Sequence, residues 1–215
     1  MSLQAQLEEQ KSSFLAVVPD DVKAVMDRTN EDLARSGIAE RAPQVGQTLA
    51  DFELPNQHGQ ARRLADLRAQ GPVVVAFYRG GWCPYCNLEL KALQEARPDI
   101  EAAGATLVAI TPELPDASLS TAQKNELSFD VLSDEGAAYA RGLGMVFTLP
   151  EELRPVYSGF GIDLEAHNGS GNFDLPLAAT FVVDKSGEIV FASGGTDYTQ
   201  RAEPADVVAA LRGLG

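Results

Sequence analysis

FYRGGWCPYCNLEL, residues 77–90, carries both cysteines of a 215-residue chain, Cys83 and Cys86, with two residues between them. The run that leads into it, GPVVVAFYR (71–79), is apolar and β-branched and lies between Gly71-Pro72 and Gly80-Gly81, the pattern of a strand buried on both faces. The run that leaves it, residues 84–103, sets Leu88, Leu90, Leu93, Ala96 and Ile100 as the apolar positions of a helix. W-C-P-Y-C therefore opens a helix directly after a buried strand. Cys83 falls at or near the N-cap, and Pro84 takes the first helical position, where its missing N–H costs nothing. A thiol placed there faces the free N–H groups of the first turn and the positive end of the helix dipole, both of which favour the thiolate, the nucleophilic form. Cys86 lies one turn further on, within reach of a sulfur on Cys83, so the pair can pass through a mixed intermediate to an internal disulfide. Trp82 is expected to shield the site. Arg79, at the strand end, is either a second source of positive charge for the thiolate or a solvated surface arginine.

Composition narrows the function classes. With 45% hydrophobic and 22% charged residues the chain can bury a full core. Its formal net charge of −14 repels a phosphate backbone or an anionic membrane, so nucleic acid is not an expected partner. MSLQAQLEEQKSSFLAVVPDD has neither a basic n-region nor an apolar h-region, and no run approaches the roughly 18 apolar residues of a membrane span, so the expected location is the cytoplasm. In that reducing compartment two thiols closing so short a loop would staple very little, and redox chemistry is the better reason for them. Zinc needs four ligands, and the only histidines, His58 in NQHGQ and His167 in EAHNGSGN, lie in turn-like segments far from the cysteines. No metal or cofactor is expected, and no Ser-His-Asp set or phosphate-binding glycine loop stands out.

Residues 1–45 read as a helical extension. Leu3, Leu7, Phe14 and Val17 mark one face, and a second stripe, Val22, Val25, Met26, Thr29 and Leu33, follows Pro19 and ends before Gly37. Residues 46–215 read as the main domain. Residues 48–54 and 61–64 flank NQHGQ as a hairpin or extended arm. After the helix at 84–103 come a buried strand, ATLVAIT (105–111), a helix across about 118–127, a short strand, FDVLS (129–133), and a helix around 137–143, an alternation that implies a parallel sheet. Residues 145–176, broken by Pro150, Pro155 and several glycines, look like an irregular insertion. AATFVVD (178–184), a DKSG turn, EIVFAS and a helix beginning near Pro204 give an antiparallel hairpin and a closing helix.

The stretch from Val73 to Leu93 resembles the active-site strand, loop and helix of the thioredoxin fold, and W-C-P-Y-C resembles the dithiol centres of thioredoxins and glutaredoxins. Together with VGQTLADFELPNQHGQ (45–60) and ATFVVDKSGEIVFAS (179–193), the chain from about 45 to 212 is similar to the peroxiredoxin-like branch of the alkyl hydroperoxide reductase and thiol-specific antioxidant superfamily. The resemblance implies an α/β thioredoxin-like three-layer sandwich with a mixed central sheet and an N-terminal helical extension. It implies a thiol-dependent antioxidant oxidoreductase that reduces hydroperoxides through Cys83 and Cys86, with Trp82, Arg79 and Pro84 in support, a thioredoxin- or glutathione-type reductant, and room for a homodimer. A dithiol-disulfide oxidoreductase without a peroxide step, and a non-enzymatic redox-switch module, are the alternatives. The two resemblances assign the first sulfur differently. Laying the peroxiredoxin pattern Pro-x-x-x-Thr/Ser-x-x-Cys on the chain puts Arg79 at the proline, Cys83 at the threonine and Cys86 at the attacking cysteine, whereas the thioredoxin pattern makes Cys83 the exposed attacker. Phe77 stands where thioredoxins bury a carboxylate. Ala178 stands where thioredoxins place a cis-proline and peroxiredoxins an arginine.

Overall fold

Ser2 accepts a hydrogen bond from the Ala5 N–H (3.2 Å) and so starts helix α1 (Leu3–Val17). In the computed structural model, which describes residues 1–169 and 171–214, Pro19 separates α1 from α2 (Asp20–Arg35), whose first turn carries Asp20 and Asp21 against the positive end of its dipole. A single turn, α3 (Ile38–Arg41), follows Gly37 in the left-handed conformation. Leu3 and Leu7 are buried as the spacing requires, but Val17 is 79% exposed and Val18 is buried in its place. The helix ends at Val17, and the extended backbone at Val18 swings the next side chain inward.

Strands β1 (Glu53–Pro55) and β2 (Ala61–Arg63) pair antiparallel across NQHGQ, where the Asn56 side chain accepts from the N–H groups of His58 and Gln60 and closes the turn. The chain then runs through α4 (Leu64–Gln70), β3 (Val73–Phe77), α5 (Pro84–Ala102), β4 (Thr106–Thr111), α6 (Pro115–Lys124), β5 (Asp130–Ser133) and α7 (Ala138–Gly142). Helix α6 sits three residues earlier than its apolar spacing suggests, because Pro115 supplies its first position and the positive φ of Glu126 forbids extension at its other end.

Residues 145–176 are structured, a correction to the reading of this segment as irregular. Strands β6 (Val146–Thr148) and β7 (Asp174–Pro176) form an antiparallel ribbon that brackets two short helices, α8 (Arg154–Gly159) and α9 (Leu164–Asn168). Leu149, Leu153, Tyr157, Leu164 and Leu175 build a small core of their own inside it. Elements this short leave too few residues for any period to register in sequence.

Strands β8 (Ala179–Val183) and β9 (Ile189–Gly194) and helix α10 (Pro204–Arg212) complete the fold. The central sheet has the order β5-β4-β3-β8-β9, with β3, β4 and β5 parallel and β8 and β9 antiparallel to their neighbours. Every residue of β3 and β8 is buried, as expected for strands covered on both faces. On one face Leu3, Leu7, Leu90, Leu93, Ile100 and Val207 join α1, α5 and α10 to the sheet. On the other, Leu49, Phe52, Leu64, Leu67, Ala140 and Ile189 form the second layer. Helix α1 therefore shares its core with the helix that begins at the two cysteines.

Candidate active site

The loop between β3 and α5 is held in place by its own glycines and by one buried carboxylate. Gly80 has a positive φ, and a Cβ there would run into the Trp82 indole; a Cβ on Gly81 would run into the Thr121 side chain. The Gly81 N–H donates to Oε2 of the fully buried Glu113 (3.0 Å), and Asn87 returns a bond from Nδ2 to the Gly81 carbonyl (2.8 Å). Cys83 is the N-cap of α5 and Pro84 its first residue, as read from the sequence.

Two features of the cysteines correct that reading. Neither sulfur faces solvent: Cys83 is 2% exposed and Cys86 is completely buried, and both are free thiols. The Cys83 side chain also makes no capping bond to the helix N-terminus. The charge on the pair is held by other partners. A hydrogen bond from the Cys86 thiol to Cys83 lowers the Cys83 pKa to about 6 against the cost of burial, with the Arg79 and Arg201 guanidiniums adding to it. Burial and the same thiol pairing push the Cys86 thiol up. The two sulfurs titrate as one unit that carries a single negative charge near neutral pH.

Arg79 is buried, not solvated, at 4% exposure. Its guanidinium lies among the rings of Tyr198 (5.2 Å to the centroid), Trp82 (5.4 Å), Phe147 and Tyr157, and Nη2 donates to the Tyr157 hydroxyl at 2.5 Å. Trp82 packs edge-on against Tyr157 and closes one wall of this box. Tyr157 and Phe147 come from the 145–176 segment, which thus supplies part of the site's wall.

The second cation has no counterpart among the residues singled out in sequence. Arg201, in the loop before α10, donates from Nη2 to Cys86 Sγ (3.2 Å) and from Nε to Glu89 Oε2 (2.5 Å). Glu89 also accepts from the Thr180 hydroxyl (3.0 Å), and burial pushes its carboxyl up to about 7 despite Arg201. Glu89 could have been noticed as a carboxylate set among the apolar positions Leu88, Leu90 and Leu93 of the helix that follows the cysteines. Arg201 sits in a loop where no spacing marks it.

Ala178 is buried beside Arg79 at the edge of a cleft, and no described peptide bond is cis, so the bond before Ala178 is trans as its side chain requires. His58 is a hairpin residue, and His167 contacts Oε1 of Glu113 at 2.9 Å, the carboxylate whose other oxygen holds the Gly81 N–H. His167 belongs to α9, not to a loop as its surroundings suggested. Among the described residues no helix is long and apolar enough to cross a membrane.

The geometry has relatives. A model of the AhpC/TSA family matches residues 45–192. A peroxiredoxin relative from Mycobacterium tuberculosis is 32% identical over 112 residues, 52% of this chain and 73% of that protein. Chloroplastic peroxiredoxin Q of Populus jackii is 30% identical over 144 residues, 67% of this chain and 57% of that one. The crystal structure of peroxidoxin BcpB from Mycobacterium tuberculosis superposes with a TM-score of 0.63 at 24% identity, covering 80% of this chain and 98% of that one, and so has the same fold.

Proposed function

The chain belongs to the AhpC/TSA family and is a peroxiredoxin-type thiol peroxidase, and we propose that its chemistry runs through Cys83 and Cys86 as a dithiol couple. In the reduced enzyme the shared charge rests on Cys83. The Cys83 thiolate attacks the terminal oxygen of a hydroperoxide, the O–O bond breaks, and the leaving alkoxide takes a proton to depart as an alcohol, or as water when the oxidant is hydrogen peroxide. Cys83 is left as a sulfenic acid. The Cys86 sulfur then attacks the sulfenic sulfur, water leaves, and a Cys83–Cys86 disulfide forms within one turn of helix. An external dithiol of thioredoxin type, or two molecules of a glutathione-type thiol, returns the two electrons and two protons. The cytoplasm supplies such thiols.

The observation that carries this reading is the burial of both sulfurs with Arg201 donating to Cys86, and the thiol pKa of Cys83 lowered to about 6 with the Arg79 and Arg201 charges contributing. A second assignment exchanges the roles of the sulfurs. It is favoured by the Arg201 donor lying on Cys86 and not on Cys83. Peroxide consumption by the wild type, Cys83→Ser and Cys86→Ser, with sulfenic-acid trapping on each variant, decides between them: the trapped acid is expected on Cys83 in Cys86→Ser. The wild type is expected to lose about two hydrogens in mass on mild oxidation, as two thiols joining requires. A disulfide-linked dimer as the main product, or no turnover with any hydroperoxide, would overturn the mechanism.

A further inference from the structure

Against Arg79, a cleft of about 250 Å³ opens between α2, the 147–157 segment and the loop after β9. Its walls are mainly apolar, from Leu33, Phe147, Leu149, Leu153, Tyr157 and Leu177, and Arg79 is among its lining residues.

Arg79 is an unusual lining residue because nothing neutralises it by direct pairing. Among the described residues it forms no ion pair with a carboxylate. Its one side-chain hydrogen bond goes to the Tyr157 hydroxyl, and its buried Nε has no acceptor. The acidic groups that act on its charge are Tyr157, the two thiols and Tyr198. A desolvated guanidinium with aromatic faces around it is strongly held, yet its charge still calls for an anion. In the reduced protein the dithiol's single negative charge meets that demand. Once the sulfurs are joined that charge is gone, and the cation remains.

We propose that this cleft is a binding site for a small organic carboxylate with a flat apolar body, and that the anion binds the disulfide form more tightly than the dithiol form. The fork of a guanidinium matches a planar carboxylate, and the apolar walls suit a ring or short chain behind it. A phosphate dianion fits less well, because Arg79 is the only cation in the lining and the carboxylate there, Asp32, is already paired with Arg35 at 2.9 Å. The redox preference follows from competition between thiolate and ligand for one cation. By linkage the ligand must favour the disulfide to the same degree, making the couple harder to reduce. The preference for the disulfide form rests on the dithiol reading above; the site itself does not.

Benzoate is the probe, and Trp82, the single tryptophan and a neighbour of Arg79, reports its binding by fluorescence, with calorimetry in parallel. Oxidised protein is prepared with a chemical dithiol oxidant, so that a failure to turn over peroxide leaves this test intact. Benzoate is expected to bind the disulfide form at least about tenfold more tightly than the dithiol form, a difference of about 1.4 kcal/mol. Benzyl alcohol, its neutral analogue, is expected to bind at least tenfold more weakly than benzoate. Cys83→Ser, which removes the competing thiolate without a disulfide, should bind benzoate more tightly than the reduced wild type, and Arg79→Gln should lose it. If Arg79→Gln does not fold, the benzyl alcohol comparison on wild type decides. Equal affinity for the alcohol and the acid would overturn the site. Equal benzoate affinity in both redox states, with the acid still preferred, would overturn the redox linkage.

Discussion

Arg201 and Cys86 are joined by a hydrogen bond of 3.2 Å from Nη2 to Sγ, in a place where both side chains are removed from water. The same guanidinium is also held through Nε by Glu89, so its direction is set before any substrate arrives. This donor gives the sheltered dithiol a way to carry charge that the helix N-terminus does not supply.

Removing that donor separates stability from reactivity. Arg201→Met leaves Glu89 buried without its partner, and breaking a buried pair in this way costs about 3–5 kcal/mol. Adding Glu89→Leu should recover most of that loss, since an apolar replacement of a buried pair is often neutral. Neither variant should recover the peroxide rate. A hydrogen bond to a charged group is worth about 1.5–3 kcal/mol, so a fall of roughly 10- to 100-fold is expected in stopped-flow oxidation. A double variant that is stable and reacts at the wild-type rate would remove Arg201 from the chemistry.

The thiol pair should announce its charge in alkylation. With the Cys83 pKa lowered to about 6, iodoacetamide labelling of Cys83 should rise through a midpoint near that value, well below an ordinary thiol. Arg79→Met should shift the midpoint upward, because one of the two neighbouring cations is lost. Peptide mapping identifies the labelled sulfur. First labelling at Cys86 would transfer the attacking role to it.

What could be read from the chain follows the length of its periodic segments. VVVAF, TLVAI and the nineteen-residue helix after Cys83 each carry enough apolar positions to declare a strand or helix, and they place the dithiol at the junction between them. The family resemblance rests on that junction together with residues 45–60 and 179–193. The site's other half comes from far along the chain. Tyr157 comes from a six-residue helix and Tyr198 and Arg201 from an irregular loop, where side-chain direction depends on tertiary packing and leaves no period behind. Arg79 was visible as a cation at the strand end, but its burial needed the aromatic box that those distant segments supply.

The contribution of α1 can be measured at two positions. Leu7 is buried in the same cluster as Cys86, Leu90 and Tyr78, so Leu7→Ala opens a cavity under the active-site helix and should cost about 2–5 kcal/mol in denaturant unfolding. Val17→Ala, at an exposed helix end, should change stability by no more than about 0.5 kcal/mol. Similar costs at both positions would mean that α1 does not pack on α5 as described.

The last relationship links pH to the loop that carries the thiols. His167 Nδ1 lies 2.9 Å from Glu113 Oε1, and the other oxygen of Glu113 accepts the Gly81 N–H. Its close pairing with Glu113, opposed by partial burial and aided by the charges of Glu113 and Asp163, raises the His167 pKa above its ordinary value. The folded protein therefore holds this proton more tightly than the unfolded chain does. The stabilisation is complete below the unfolded pKa of about 6.5 and is lost as pH rises through the raised folded value. Wild type should thus lose thermal stability relative to His167→Gln as pH climbs from about 6.5, with the two converging once His167 is neutral in both states. Thermal melts of the two proteins across about pH 5 to 8 make the comparison, because other titrating groups contribute alike to both. Parallel curves over that window would show that His167 does not hold its proton through Glu113, and that the loop is anchored by the Gly81 bond without help from the histidine.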